Sequence, residues 1–366
     1  MFPPLQALEH LDPARFETPA ILKRLVSAHR CLAEFKGVAA SMPNQSILLN
    51  TLALQEAKDS SEIENIITTH DELFREVALD RTTTPAAKEV ARYNRALRVG
   101  FESVNSTGLL TGNHIAEIQA VLEQSRTGWR KVPGTVLKSN TGRVVYTPPS
   151  PEALPGLMSA LERFINDDAL FDADPLVKMA LIHHQFESIH PFYDGNGRTG
   201  RIVNVLYLVK QGLLDIPVLY LSRAIVRSKP DYYRLLQAVR AQDKWEDWVL
   251  YLLGAVERTA TDGIDTIQAI KAALMDYKHR IRAGYKFYSQ DLINNLFSHP
   301  YTKIEFLRDD LKVTRLTATR YLDTLAADGF LIKHKVGRAN YYVNIPLFRI
   351  LAGEPEIPPP QIASSR

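Results

Sequence analysis

Hydrophobic and polar positions repeat with a helical period along most of the chain. The clearest case is 174–189, DPLVKMALIHHQFESI, where Asp174 is a suitable N-cap, Pro175 suits the first helical position, and no helix breaker occurs before Pro191. After a glycine-rich stretch, 200–212 (GRIVNVLYLVKQG) carries apolar residues on more than one face and stops at its last glycine. We therefore expect two helices here, the second of them buried.

One segment breaks this helical pattern. Residues 129–149 contain short extended runs on both sides of Thr141 and Gly142, a pair that suits a β-turn. We expect a hairpin at 132–149, which we call the flap. Its edge around Val144 could hold an extended peptide by main-chain hydrogen bonds, although a hairpin in a helical fold could also be only a connector. The helical period itself continues in three further segments: 84–104, 109–125 and, as two or more helices, 230–284.

The pattern changes again near residue 288. Three short helical segments precede an alternating stretch at 330–344, and this is the order of a winged helix-turn-helix. Thr314 would cap the third helix, which would be the recognition helix. Residues 300–351 hold nine Lys/Arg and five Asp/Glu, a net charge of 9 − 5 = +4. This region could bind DNA, or it could serve for protein contacts or domain packing; the sequence favours neither function. The residues for DNA would be Arg315, Thr317, Thr319 and Arg320 in the groove, and Lys333, Lys335 and Arg338 on phosphates.

Composition narrows the classes of protein further. The chain has 366 residues, 45% of them apolar, and a net charge of +3, which is too weak to indicate nucleic acid by itself. The single cysteine, Cys31, excludes an intramolecular disulfide framework and fits a reducing cytosol. The first residues do not have the pattern of a signal peptide, and no run of 18 apolar residues occurs. We expect a cytoplasmic protein that does not cross a membrane, with a disordered proline-rich tail at 352–366.

The stretch HPFYDGNGRTGR, residues 190–201, concentrates the candidate chemistry. Glycines at a helix start let the backbone approach an anion, and the helix N-terminus favours phosphate. Arg198 and Arg201 lie one turn apart and can serve the same anion, and Asn196 can donate from its amide. Asp194 beside a phosphate implies Mg²⁺ between them. His190 suits a general base. Together these residues indicate nucleotidyl or phosphoryl transfer to a hydroxyl.

Two other interpretations of this region are weaker. Gly195, Gly197 and Gly200 spell G-x-G-x-x-G, but a dinucleotide-binding turn would follow a strand, and this one follows a helix. His183 and Glu187 lie on one helix face with His190 and could form a metal site, but Pro191 ends the helix and no spacing supplies further ligands.

The stretch resembles the signature of the Fic (filamentation induced by cAMP) family, HPFx[D/E]GNGRxxR. The matching positions are His190, Pro191, Phe192, Asp194, Gly195, Asn196, Gly197, Arg198 and Arg201. The flap, DYYRLL at 231–236 and the terminal regions extend the likeness to a bacterial branch with an N-terminal inhibitory helix and a C-terminal winged helix. The resemblance implies a mainly α fold with five parts: an N-terminal helical region (1–105), a Fic core (106–260), a linker helix (261–287), a winged helix (288–351) and the tail (352–366).

The resemblance also implies adenylyl transfer from ATP to a Ser, Thr or Tyr hydroxyl of a target protein. His190 would remove the hydroxyl proton, and Asp194 would hold Mg²⁺ between the α- and β-phosphates. Arg198 would take the β-phosphate and Arg201 the γ-phosphate. The α-phosphate would be steadied by Asn196 and the backbone from Gly195 to Gly197. Thr199 and Gly200 complete the nucleotide-binding set, and Tyr232, or its neighbour Tyr233, would contact the adenine.

A second family feature lies upstream of this core. SSEIEN fits the inhibitory pattern [S/T]xxxE[G/N] with Ser60, Glu64 and Asn65. By resemblance, Glu64 would pair with Arg201, take the place of the γ-phosphate and inhibit the enzyme from within the same chain. We also expect a homodimer. AMP removal, with Glu64 orienting water, stays open. So does a different function, a transcription regulator that senses nucleotide in the Fic fold and binds DNA through its winged helix.

Overall fold

The computed structural model describes residues 5–79, 84–138, 141–336 and 339–352. The turn at Gly337 and Arg338 and the tail from 353 onward therefore lie outside the described residues. Contacts divide the chain into two units, which are Met1–Lys36, Asp59–Ile66 and Arg92–Thr261 in the first, and Gly37–Lys58, Ile67–Ala91 and Asp262–Arg366 in the second.

The fold is mainly helical, as the sequence predicts. The elements up to residue 284 are α1 (Pro19–Ala40), α2 (Ser46–Ile63), α3 (His70–Leu79), α4 (Pro85–Thr107), α5 (Gly112–Glu123), β1 (Leu137–Lys138), β2 (Val144–Tyr146), α6 (Leu154–Asn166), α7 (Pro175–Ile189), α8 (Asn196–Lys210), α9 (Leu221–Arg227), α10 (Lys229–Gln242) and α11 (Trp245–Gly284). Short 3-10 turns lie at Leu8–His10, Pro13–Phe16, Pro151–Ala153 and Asp168–Leu170.

Helices α7 and α8 form the centre of the first unit. The side chain of Asp174 caps α7 by accepting from the Leu176 amide at 2.8 Å, and Pro175 is the first helical residue, as predicted. Every residue from Leu176 to Ile189 is buried, and α8 is buried over most of its length. Trp248 of α11 donates its indole N–H to the Ala180 carbonyl of α7 at 2.8 Å. The central pair is therefore held by apolar packing and by directed bonds.

The last elements form a small three-stranded sheet with helices. They are α12 (Gln290–Ser298), β3 (Tyr301–Lys303), α13 (Ile304–Leu311), α14 (Arg315–Ala327), β4 (Leu331–Val336), β5 (Ala339–Asn344) and α15 (Ile345–Ala352). The sheet order is β3-β5-β4 and both pairings are antiparallel. Thr314 caps α14 by accepting from the Thr317 amide at 3.2 Å, as predicted.

The three helices and the hairpin follow the predicted order, with two differences. Residues 301–303, expected next to or within the second helix, form β3 because they pair with β5, with Tyr301 opposite Val343. The chain also forms α15, which ends at Ala352, the first residue of the predicted tail.

Candidate active site

The loop from α7 to α8 is shaped by residues of the predicted motif. His190 ends α7 in the left-handed region, with φ 48° and ψ 61°, and Gly195 precedes α8 with φ 75°. The Asn196 amide accepts from the Phe192 N–H and donates to the Phe192 carbonyl, both at 2.9 Å. Asn196 was expected to steady a phosphate. Here both ends of its amide close the loop, so it orders the backbone N–H groups around the helix start.

His190 lies in a buried and positively charged setting. Burial lowers the pKa of its imidazole most, Arg240 and Arg130 lower it further, and Asp194 raises it, so the pKa is lowered to about 4. Its Nδ1 is buried with no hydrogen-bond partner among the described residues. The imidazole is therefore neutral near pH 7, the form that can accept a proton.

Both arginines of the motif are engaged by Glu64. Its Oε1 lies 2.9 Å from Nη2 of Arg201, and its Oε2 lies 2.8 Å from Nε of Arg198. Ser60, one helical turn earlier, accepts from Arg201 with its hydroxyl at 2.7 Å and its carbonyl at 2.8 Å. Both guanidinium groups are buried to about 2% exposure. The Glu64 carboxylate thus pairs with both arginines, the two cations that could otherwise bind a phosphate chain.

A second carboxylate holds Arg198. Oε1 of Glu123, the last residue of α5, lies 2.9 Å from Nη2 of Arg198. The same Oε1 would lie 2.5 Å from a Cβ built on Gly195. The left-handed φ and this close approach both require glycine at 195.

The end of α2 explains why Asn65 follows Glu64. Asn65 has φ 65°, its N–H donates to the Glu62 carbonyl and the Ile66 N–H donates to the Ser61 carbonyl, both at 3.0 Å. This is the Schellman ending of a helix, in which a left-handed residue satisfies the last carbonyls. Glycine and asparagine adopt that conformation most readily. Lys229 donates to the Asn65 side chain at 2.9 Å.

Two further glycines of the motif allow close approach. A Cβ on Gly197 would overlap Oε1 of Glu64, so this glycine makes room for the carboxylate. A Cβ on Gly200 would lie 2.9 Å from Oε1 of Glu187 and 3.0 Å from the ring of Phe186. Gly200 therefore serves the packing of α8 on α7. Thr199, also expected at the nucleotide, is fully buried.

Asp194 has the properties of a cation ligand. Its side chain is 79% exposed, and its Oδ1 accepts from the Gly195 N–H at 2.7 Å and lies 3.9 Å from Nη2 of Arg198. Mg²⁺ in nucleotide sites is often held by one or two carboxylates, with phosphate oxygens and water as the other ligands. A single open carboxylate beside a helix N-terminus fits that pattern. No group of three His, Cys, Asp or Glu side chains that could hold a metal exists within the described residues.

The two candidate adenine-side tyrosines differ in exposure. Tyr232 is 2% exposed, and its hydroxyl lies 3.0 Å from Nε2 of His183. Its ring packs on Trp248, with a centroid distance of 5.7 Å. Tyr233 is 45% exposed.

His183 and Glu187 are buried groups of α7. Burial first, and then Arg201, lower the pKa of His183 to about 3. Burial raises the pKa of Glu187 to about 7, although Arg201 opposes the rise. Both groups belong to the interior beneath the arginines, where His183 bonds Tyr232.

The flap is the predicted antiparallel hairpin, with Leu137 opposite Tyr146 and Lys138 opposite Val144. Gly142 has φ 79°, a conformation that glycine adopts without strain. The Val144 side chain is exposed, whereas Tyr146 is buried and donates its hydroxyl to the Ser188 carbonyl at 3.1 Å. The hairpin is therefore anchored at Tyr146, whereas residues 141–144 are exposed.

Sequence reasoning missed two charged residues of this site, Glu123 and Arg130. Glu123 contacts Arg198 from 75 residues away. Local spacing carries no signal for such a pair. Arg130 could have been noticed as a cation just before the flap, whereas Glu187 was considered only as part of a weak metal site.

None of the helices within the described residues is long and apolar enough to cross a membrane. Protein-family comparisons cover most of the chain. Residues 22–102 match the Fic/DOC family N-terminal model, 109–208 match the Fic/DOC family model, and 274–347 match the model of the protein adenylyltransferase SoFic-like C-terminal domain.

Among curated proteins, the chain is 32% identical over 174 residues to the probable protein adenylyltransferase aq_aa38 of Aquifex aeolicus, covering 46% of this chain and 51% of that protein. It is 25% identical over 274 residues to protein adenylyltransferase Fic of Aedes aegypti, covering 69% of this chain and 48% of the relative. The chain thus spans about half or less of the length of the curated relatives it matches.

Two solved structures share the fold. A Fic family protein from Desulfovibrio desulfuricans G20 has a TM-score of 0.58 at 20% identity, covering 89% of this chain and 96% of that one. Fic-1 from C. elegans has a TM-score of 0.53 at 19% identity, covering 68% of this chain and 72% of that one. The matched family models, which together cover most of the chain, establish that it belongs to the Fic/DOC family and carries a SoFic-like C-terminal domain.

Proposed function

We propose that this chain is a protein adenylyltransferase that moves AMP from ATP to a Ser, Thr or Tyr hydroxyl of a target protein and that Glu64 inhibits it. The observation that carries the proposal is the bridge from the Glu64 carboxylate to Arg198 and Arg201, next to a glycine-rich helix start and a neutral buried histidine. The relatives named above as protein adenylyltransferases support it.

The reaction follows from where these groups lie. His190 takes the proton of the target hydroxyl, and the oxygen attacks the α-phosphorus of ATP. The bond between the α-phosphorus and the bridging oxygen breaks, and pyrophosphate leaves. The N–H groups at the start of α8 stabilise the charge that builds on the α-phosphate. Arg198 and Arg201 hold the β- and γ-phosphates.

Asp194 is the residue that would hold Mg²⁺. A bound Mg²⁺ would neutralise charge on the phosphate chain of ATP. The adenine would lie on the side of Tyr233, whose ring is exposed where that of Tyr232 is not. A target segment would lie along the exposed edge of the flap near Val144.

Inhibition follows from competition for charge. The γ-phosphate and the Glu64 carboxylate require the same guanidinium, and two anions cannot share it without repulsion. Because Glu64 lies in the same chain, the inhibition is intramolecular. With Glu64 in place, a water held by its carboxylate could attack the phosphorus of the AMP group on a modified side chain, releasing AMP and restoring the hydroxyl. AMP removal by hydrolysis is therefore part of the proposal.

The test uses the Glu64→Gly protein with ATP labelled at the α-phosphate and, separately, at the γ-phosphate. We expect protein-bound label only from the α-labelled ATP, and an AMP adduct on a hydroxyl side chain by mass spectrometry. GTP, CTP, UTP and a phosphocholine donor are the comparison substrates. Equal labelling by another donor, or label from the γ-phosphate, would contradict AMP transfer from ATP.

A second candidate function rests on the C-terminal helices. The exposed face of α14 presents Arg315 and Arg320. Arg315 pairs with Glu305 at 2.8 Å, and Lys333 of β4 pairs with Asp323 at 2.6 Å. These exposed pairs are weak and could give way to phosphates. Salt-dependent retardation of DNA by the full chain would support a DNA-binding regulator; its absence at low salt would contradict it.

Light scattering of the full chain tests the expected homodimer.

A further inference from the structure

The C-terminal end of α7 is covered by buried side chains of the flap region and α10. The last carbonyls of a helix have no partner within the helix and must be satisfied from outside. Arg240 donates to the Glu187 carbonyl at 2.9 Å, and Tyr146 donates to that of Ser188 at 3.1 Å. Arg130 donates to the Ile189 carbonyl at 3.3 Å. The helix end that presents His190 is thus completely bonded.

Arg130 continues this set of bonds beyond the helix. Its Nε donates to the His190 carbonyl at 2.8 Å, and its own backbone N–H donates to the Pro191 carbonyl at 2.8 Å. Its Nη2 also donates to the carbonyl of Pro149, the last residue of the flap. The side chain is buried. One guanidinium therefore joins the end of the flap, the end of α7 and the backbone of His190.

Tyr193 forms a second connection on the outer side. Its hydroxyl accepts from the N–H groups of Lys131 at 2.8 Å and Val132 at 3.2 Å. The first residues of the flap are thereby fastened to the loop that follows His190. Both ends of the flap are fixed to the catalytic loop, each by a different residue.

The backbone of His190 needs such support. A non-glycine residue with a φ of 48° is in a sparsely populated region, and such residues persist where the surrounding structure holds them. Arg130 holds the carbonyl directly. We propose that Arg130 is a positioning residue, which fixes His190 relative to the flap so that a hydroxyl on a flap-bound target meets the imidazole. This inference rests on the proposed function.

The charges around His190 give the inference a readout apart from activity. Arg130 approaches the imidazole from the flap side, Arg240 from α10, and Asp194 from the loop itself. The two arginines favour the neutral form and the aspartate the charged form. Removing Arg130 should therefore raise the pKa of His190 from about 4 toward its ordinary value.

The experiment compares Arg130→Met, Arg130→Lys and the control Arg126→Met, an exposed arginine four residues earlier, each in the Glu64→Gly protein. We expect Arg130→Met to lower kcat by about 10- to 100-fold, the cost of a small misplacement of a catalytic group, with the KM for ATP within about twofold. Arg130→Lys keeps the charge but cannot span the same carbonyls. It should lower kcat while leaving the pKa of His190 near the parent value. Arg126→Met should change neither.

NMR titration of His190, assigned with His190→Gln, measures the pKa without any turnover. Folded Arg130→Met protein with parental kcat and a parental His190 pKa would overturn the inference. So would a lower melting temperature as its only change, because that is the result of a purely structural role. If Arg130→Met does not fold, the same kinetic measurement on Arg130→Lys and on Tyr193→Phe tests the inference. Tyr193 is half-exposed. If Glu64→Gly transfers no AMP, the proposed function fails, and the titration of Arg130→Met still judges whether this arginine acts on His190.

Discussion

Oε1 of Glu64 lies 2.9 Å from Nη2 of Arg201, in a place where a Cβ on Gly197 would overlap it. Burial alone would lower the pKa of Arg201, but Glu64, and then Tyr232 and Glu187, raise it above its ordinary value. The guanidinium is therefore permanently charged and engaged in the resting protein. Any anion that uses it must first displace the carboxylate.

Glu64→Gly removes that competitor. We expect the rate of AMP labelling, including self-modification, to rise at least about tenfold, which corresponds to about 1.4 kcal/mol in activation free energy. ADP has no γ-phosphate to compete with Glu64, so its affinity should change less than that of ATP. Calorimetry with both nucleotides, alongside labelling, measures the difference.

Glu64→Gln is the matched control, because it keeps the volume and removes the charge. It should activate only partly. If Glu64→Gly labels no faster than the parent protein at saturating ATP, Glu64 does not inhibit the enzyme.

Asn65 offers a separate test through the backbone. Its φ of 65° suits asparagine and glycine, whereas a β-branched residue would lose about 1 kcal/mol or more there. Asn65→Val should disturb the end of α2, release Glu64 and raise labelling. Asn65→Gly should keep labelling low because it keeps the conformation.

Lys229→Met controls for the hydrogen bond that both Asn65 variants lose. It should label like the parent protein. Equal labelling by Asn65→Val and Asn65→Gly would show that the left-handed conformation is not what places Glu64.

Local sequence signals predicted the helices that frame the site. Features that depend on contacts between residues far apart in the chain could not be predicted in this way. Asp174 marks the start of α7 by its side-chain cap, and the prolines Pro175 and Pro191 mark its two ends by their restricted backbone. Tyr232 and Tyr233 are adjacent, and the choice between them depends on which one packs against His183 and Trp248 from elsewhere in the chain. Strand β3 has three residues and exists through its pairing with β5. Glu123 and Arg130 act through partners 60 or more residues away.

Glu187 should make stability depend on pH. Burial raises its pKa to about 7, so the folded state favours the protonated form more than the unfolded state does. The destabilisation is absent below the unfolded pKa of about 4.5, grows as the pH rises, and is complete above about 7. Glu187→Gln should therefore gain stability over the parent protein across that interval, by up to about 3 kcal/mol.

Urea unfolding of both proteins at pH 5 and pH 8 measures this difference. A constant gap between the two curves would mean that Glu187 does not titrate in the folded protein. The exposed Glu117→Gln on α5 is a control that should show no pH-dependent gain.

His190→Ala should abolish transfer while leaving ATP affinity nearly unchanged, because the base acts on the target hydroxyl and not on the nucleotide. In the Glu64→Gly background we expect a loss of at least about 100-fold in kcat, the usual contribution of a general base.

The pH dependence carries a second signature. With a pKa of about 4, the imidazole stays neutral down to about pH 5, so kcat should be flat from pH 8 to 5 and halve near pH 4. An unperturbed histidine would instead lose half its activity near pH 6.5. Saturating ATP at every pH and recovery of activity on return to pH 7.5 exclude weak binding and unfolding. Robust labelling by folded His190→Ala, or a midpoint near 6.5, would show that His190 is not the base, or is not held in this buried setting.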